Sequence, residues 1–201
     1  MDGSAVTRLV LASASPRRRE LLTRAGYAFD VVVSDIDEST IPSTGSRPAQ
    51  HAEVLALAKA KSVAALHPDG LILGADTLVD LDGQIIGKPA DKEDAERITR
   101  KLFSKPHVVI TGLALVRLVD HLEIVRSDVT TVYPRKLTEE QIARHIAGGA
   151  WEGKAGAYAI QEMGDAFVER IEGSLINVVG LPMELLERLL AELQERPASA
   201  L

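Results

Sequence analysis

Three consecutive arginines, Arg17, Arg18 and Arg19, follow Ser13-Ala14-Ser15-Pro16, in which Ser15 suits a helix N-cap and Pro16 the first helical position. Basic side chains at the positive end of a helix are repelled by about 0.3–1 kcal/mol each unless an anion neutralises them. Backbone N–H groups and arginine forks both match phosphate oxygens. The turn therefore reads either as a phosphate site or as a solvated basic turn.

Acids stand at two comparable places. Leu71–Ala75 is an apolar strand running into Gly74-Ala75-Asp76-Thr77, so Asp76 is expected where the strand emerges. The carboxyl ends of strands in open α/β sheets are where ligand crevices form, and an Asp there either holds a divalent cation, takes a proton from water, or starts a turn. Asp35-Ile36-Asp37-Glu38 follows the strand Phe29–Val33 in the same way. It is either an acidic surface loop or a source of the one or two carboxylates that Mg²⁺ takes from protein.

Two lysines complete the set. In the Ala/Leu-rich helix from about Pro48 to Leu66, Lys59 falls within about 40° of the apolar direction, among Leu55, Val63 and Leu66, and Lys61 about 120° away. Lys59 is expected to reach past the core edge to solvent or to an anion. Gly87-Lys88-Pro89 fixes a second lysine on a defined loop path.

Other chemistries are excluded. Gly148–Lys154 matches G-x-x-x-x-G-K but lacks the following Ser or Thr and follows a helix pattern, so it is no P-loop. The five histidines show no metal spacing, there is no G-x-S-x-G, and the absence of cysteine removes thiol nucleophiles, thiolate zinc and disulfides. With 23 basic against 29 acidic residues the net charge is −6, which argues against nucleic-acid and membrane partners. The Met1–Thr7 leader has no signal-peptide pattern and no apolar run reaches membrane-spanning length, so a soluble cytoplasmic protein is expected.

The elements that position these residues read as one domain over 1–201, with 196–201 a frayed tail. The order is β-α-β at the start, a second αβ unit ending in Leu71–Ala75, and a hairpin at Asp82-Gly83 between Leu78–Leu81 and Gln84–Ile86. Then follow a helix over Asp91–Phe103, strands His107–Val116 and Leu122–Val132, a helix Thr138–Ala147, strands near Ala155–Ile160 and Ala166–Ile171, and a closing helix Pro182–Gln194. This predicts an α/β fold of three layers around a mixed sheet, with a β-rich second lobe. Only 3% of residues are aromatic, so the core must be aliphatic.

Six ordered blocks resemble the Maf family of nucleoside triphosphate pyrophosphatases over roughly residues 9–190. They are Ser13-x-Ser15-Pro16-Arg17-Arg18, Leu55-Ala56-x-x-Lys59-Ala60, Gly74-Ala75-Asp76-Thr77, Gly87-Lys88-Pro89, Ala155-Gly156-Ala157-Tyr158-x-Ile160-Gln161 and Val179-Gly180-Leu181-Pro182. The resemblance implies a fold related to the inosine-triphosphate pyrophosphatases, with a cleft between two lobes and often a homodimer. It implies that Ser13, Arg17 and Arg18, with Ser15 in the same turn, bind the triphosphate and that Lys59 and Lys88 add charge to it. Asp76 matches the family's proton acceptor, and Glu38 with Asp76 the positions associated with Mg²⁺ or Mn²⁺. Water then attacks the α-phosphorus and pyrophosphate leaves.

Arg17, Thr77 and Gln161 resemble the branch acting on dTTP and UTP, and the 7-methyl-GTP branch differs at all three. A Gln amide offers a donor and an acceptor to the imide edge of uracil or thymine. The chain departs from the family at Ala159 and Glu162, where Tyr-Gly-Ile-Gln-Gly is usual, and at Leu175-Ile176, where an aromatic after Ser174 is common. Preference among pyrimidine and modified triphosphates stays open at this point. So does a second class, a nucleotide-binding regulator without turnover, suggested by the family's historical link to septum formation.

Overall fold

The computed structural model describes residues 9–42, 47–158 and 167–195. It opens with β1 (Leu9–Leu11), α1 (Pro16–Arg24) and β2 (Phe29–Val31), and β2 lies parallel to β1 as the β-α-β reading requires. A 3₁₀ turn at Glu38–Thr40 precedes α2 (Pro48–Ala64), which leads into β3 (Leu71–Leu81). β4 (Gln84–Ile86) returns along β3 through Asp82-Gly83, whose φ angles of 54° and 80° are those of a two-residue hairpin turn. The remainder is α3 (Lys92–Leu102), β5 (His107–Arg117), β6 (Leu122–Pro134), α4 (Glu139–Ala147), β7 (Val168–Glu172), α5 (Leu175–Val179) and α6 (Met183–Glu195).

One mixed sheet carries all seven strands of the described residues, in the order β2-β1-β3-β5-β6-β7 with β4 on the far end of β3. β1 is parallel to β2 and β3, and every other pairing is antiparallel. Alternation along the strands sorts side chains into two layers. Leu9, Leu11, Leu71, Leu73, Leu113 and Leu115 meet Leu22 of α1 and Leu185, Leu186 and Leu189 of α6. Val10, Ile72, Ala114 and Val116 meet Ala56, Ala60 and Val63 of α2. A third cluster, including Val79, Leu102, Phe103, Val109, Ile142 and Tyr158, is the core of the second lobe. The three-layer mixed-sheet expectation holds. No helix among the described residues is long and apolar enough to cross a membrane.

The small-residue face of α2 sets how close that helix comes. A Cβ on Gly74 would lie 2.2 Å from the Ala56 carbonyl oxygen, and one on Gly112 2.3 Å from the Ala52 backbone. Only glycine at both positions lets α2 seat this near the sheet, and that seating brings Lys59 to β3.

Three local expectations are corrected. Leu71–Ala75 and Leu78–Leu81 are one strand, because pairing with β5 runs unbroken from Ile72 to Asp80. Residues Ala155–Ala157, expected to begin a strand, form a 3₁₀ turn in which Gly156 has φ 73° and packs under Leu102 and Val79; 159 and 160 lie outside the described residues. Leu66 lies beyond α2 and is 71% exposed, so it does not share the buried side of Lys59. The short helix α5, capped by Ser174 on the Asn177 amide, had no periodicity to announce it.

Candidate active site

A missing stretch of sheet edge makes the site. β1 pairs with β3 only as far as Leu73, and β4 takes up the same edge again at Val79. Among the described residues no strand lies beside 74–78 of β3 on that edge, and this notch opens into a cavity of about 760 Å³. Asp76 therefore sits in mid-strand, not at a strand end as expected: antiparallel β5 carries β3 onward, while the short β1 stops. The carboxyl end of β1 supplies the crevice that the sequence reading assigned to β3.

Nine of the residues singled out from the sequence line this one cavity: Ser13, Ser15, Arg17, Arg18, Glu38, Lys59, Asp76, Thr77 and Lys88. Gln161 lies outside the described residues. Asp35 and Asp37, expected beside Glu38, do not line it. Asp37 caps the 3₁₀ turn instead, accepting from the Ser39 amide and hydroxyl, and Arg19 is exposed.

Arg18 ties four segments together. Its Nε donates to the Gly180 carbonyl at 2.8 Å, Nη1 to Ser13 Oγ at 3.0 Å and Nη2 to Thr77 Oγ1 at 3.1 Å. Gly180 turns its carbonyl inward at φ 125°, a conformation that side-chain-bearing residues rarely adopt. Thr77 Oγ1 also lies 3.0 Å from Thr111 Oγ1, which donates to the Asn177 carbonyl. The Thr77 hydroxyl is thus taken up within the protein. Burial pushes the Arg18 pKa down, partly countered by Asp76 and Glu38. Arg17 differs: its Nε donates to the Val179 carbonyl at 3.2 Å, and its terminal nitrogens are unbonded among the described residues.

Lys59 is buried, and it meets two acids. Nζ lies 2.5 Å from Asp76 Oδ1 and 2.8 Å from Glu38 Oε1. Burial of Glu38 raises its pKa, but the hydrogen bond and charge of Lys59, with Lys88 and Arg18, outweigh this and hold the carboxyl below its ordinary value. Asp76 has no other bond among the described residues, so Oδ2 is left for a water or a ligand. Lys61 points away and pairs with Glu123, as the helical angles require. Lys88 is exposed and makes no hydrogen bond or ion pair among the described residues.

The cavity also has an apolar lining, made by Leu78, Val79, Val109, Tyr158, Val178 and Val179. Tyr158 is fixed from behind. His107 Nδ1 faces the Leu102 carbonyl at 3.2 Å, so it carries the proton, and Nε2 accepts from the Tyr158 hydroxyl at 2.7 Å. Burial drives the His107 pKa down to about 4 and raises that of Tyr158. The sequence reading missed this pair, since an isolated His and Tyr 51 residues apart carry no signal. It also passed over Glu152 and Lys154, which line the cavity although their segment is no P-loop.

Five cationic and three anionic described side chains line the cavity, a net of two positive charges. Among the described residues no group of three or more His, Asp or Glu is placed to cage a metal. Asp76 and Glu38 nevertheless converge on a single nitrogen, which fits a hard cation that takes one or two carboxylates and completes its shell with phosphate and water.

Comparison with known proteins agrees with this architecture. The curated dTTP/UTP pyrophosphatase of Ruminiclostridium cellulolyticum is 44% identical over 188 residues, covering 94% of this chain and 97% of the relative. That of Geobacter metallireducens is 49% identical over 177 residues, covering 88% and 91%. The solved structure of the Staphylococcus aureus Ham1 protein matches with a TM-score of 0.54 at 13% identity, covering 92% of this chain and 98% of that one, a likeness of fold alone. The family model described as Maf-like protein matches residues 8–193, and the chain belongs to that family.

Proposed function

We propose that this chain is a nucleoside triphosphate pyrophosphatase that hydrolyses dTTP and UTP to the monophosphate and pyrophosphate. The observation that carries the reading is the meeting of Asp76, Arg17, Arg18, Lys59 and Lys88 in one cavity that also has an apolar lining. The relatives named dTTP/UTP pyrophosphatase cover nearly the whole chain and support the choice of substrate. A triphosphate carries roughly four negative charges near neutral pH. Together with one divalent cation it carries about two, matching the two positive charges of the described lining.

The chemistry follows from placement. The triphosphate lies against the Ser13–Arg18 turn, where the terminal nitrogens of Arg17 and the ammonium of Lys88 meet its oxygens. The base lies against the apolar lining beside Tyr158. Asp76 Oδ2 takes the proton from a water directed at the α-phosphorus, and the cationic side chains stabilise the charge on the departing pyrophosphate. Mg²⁺ or Mn²⁺, held by Asp76 and Glu38, would supply further charge stabilisation at the phosphoryl oxygens. Gln161 completes the base site in this reading.

The test offers the purified protein a panel of normal and modified triphosphates, including 7-methyl-GTP, with Mg²⁺ or Mn²⁺ and identifies the products. Monophosphate plus pyrophosphate, fastest from dTTP and UTP, is expected. Asp76→Asn should lower kcat by a factor on the order of 10²–10⁴ while nucleotide still raises the melting temperature. Binding of UTP by the unaltered protein without release of pyrophosphate would replace this reading with that of a non-catalytic regulator.

A further inference from the structure

We infer that Lys59 is an internal counter-cation that keeps a divalent metal off Asp76 and Glu38 until a nucleotide is present, so that the metal enters only as its nucleotide complex. The inference rests on the metal-assisted reading above and adds the order in which the parts assemble. The lysine ammonium occupies the point on which both acids converge, 2.5 Å from one and 2.8 Å from the other. The side chains of Lys59 and Asp76 are each only 10% exposed, so solvent screens little of what happens between them. A small divalent cation binds carboxylate oxygen at about 2.0–2.1 Å. Placed there beside the ammonium, it meets a like charge at close range.

The surroundings add to that repulsion. Arg18 is buried beside the same acids, and Lys88 and Arg18 both act on Glu38. A bare cation therefore approaches a cavity that is already positive and finds the point on which the two acids converge occupied by the ammonium. A triphosphate reverses both conditions. Its charge outweighs the positive lining, and its oxygens give the ammonium a new partner. Lys59 then turns from the acids to the phosphates, and the acids are released to the cation. A lysine serving only as a static ion pair predicts no such link between metal and nucleotide.

Mn²⁺ binding to the full chain, without nucleotide, can be followed by the electron paramagnetic resonance signal of the free ion. The unaltered protein should bind Mn²⁺ alone no tighter than millimolar, and Lys59→Met should bind it at least about tenfold tighter. Adding Glu38→Gln to Lys59→Met should remove that gain. Micromolar binding by the unaltered protein, or no gain in Lys59→Met, overturns the inference. A second measurement needs no substitution: the Lys59 ammonium resonance should stay in place on addition of Mg²⁺ alone and move when Mg²⁺ is added with the α,β-methylene analogue of UTP. Movement with Mg²⁺ alone overturns the inference as well. Tight Mn²⁺ binding by an unaltered protein whose hydrolysis needs metal sinks this inference only. Full hydrolysis in excess chelator sinks the metal-assisted reading beneath it.

Discussion

The two walls of the cavity are built on opposite plans. In the wall from the first lobe Arg18 is fastened within the protein, to Ser13, Thr77 and Gly180, with Thr77 in turn beside Thr111, and of its neighbour Arg17 only the terminal nitrogens are left for a ligand among the described residues. The wall from the second lobe carries Lys88 exposed after β4, and its polar fastening lies behind the surface, where His107 holds Tyr158. Polar groups satisfied before a ligand arrives shape a site and add to stability, whereas groups satisfied only by a ligand add to binding. The same kind of charge should therefore have different consequences on the two sides.

Arg18 is the severest test of that difference. Arg18→Lys keeps a positive charge but loses the fork that reaches three acceptors on three segments, and leaves the inward Gly180 carbonyl with only the longer 3.5 Å contact from Thr77 Oγ1 among the described residues. A loss of about 2–4 kcal/mol in urea unfolding is expected, together with loss of hydrolysis. An Arg18→Lys protein as stable as the original would show that Arg18 serves the ligand, and the contrast between the walls would disappear.

His107 tests the fastening behind the second wall. The folded protein keeps this imidazole neutral down to about pH 4, while the unfolded chain takes up a proton near 6.5. The unfolded state thus binds more protons between these values, and stability falls as the pH is lowered through that window. The stability is complete above about pH 6.5, and the loss approaches about 3 kcal/mol near pH 4. Urea unfolding across this range should show the slope, and His107→Gln should flatten it. An unchanged slope in the variant would place the acid sensitivity elsewhere.

Much of the first wall was legible in the sequence because its cause is local. Ser15, Pro16 and the arginines announce a capped turn within a few residues, and the angle of Lys59 on α2 follows from helical geometry. What the sequence hid is set by long-range pairing. Asp76 lies in mid-strand because β1 is short and β5 long, a matter of register between segments that no single stretch displays. Gly74 reads as a strand glycine, and its purpose emerges only when Ala56 of α2 is placed 2.2 Å from the Cβ it lacks. Arg18 and Gly180 are 162 residues apart, and His107 and Tyr158 are 51, so neither bond leaves a spacing to read. The Val179-Gly180-Leu181-Pro182 block stood out only by resemblance, before its carbonyls were seen to receive both arginines.

Lys88 gives the smallest effect and the cleanest reading of the second wall. It is exposed, follows Gly87 on the loop after β4, and makes no hydrogen bond or ion pair among the described residues, so Lys88→Ala removes nothing that holds the fold. Its unfolding free energy should stay within about 0.5 kcal/mol of the original. One charge on a ligand phosphate is worth about 1–2 kcal/mol here, so KM for dTTP should rise roughly tenfold with little change in kcat. Lys88→Arg should recover most of the loss, since it restores the charge. A fall in kcat with KM unchanged would mean that Lys88 acts only on the transition state, on the departing pyrophosphate, and the second wall would then take part in the reaction itself and not just in capture of the substrate.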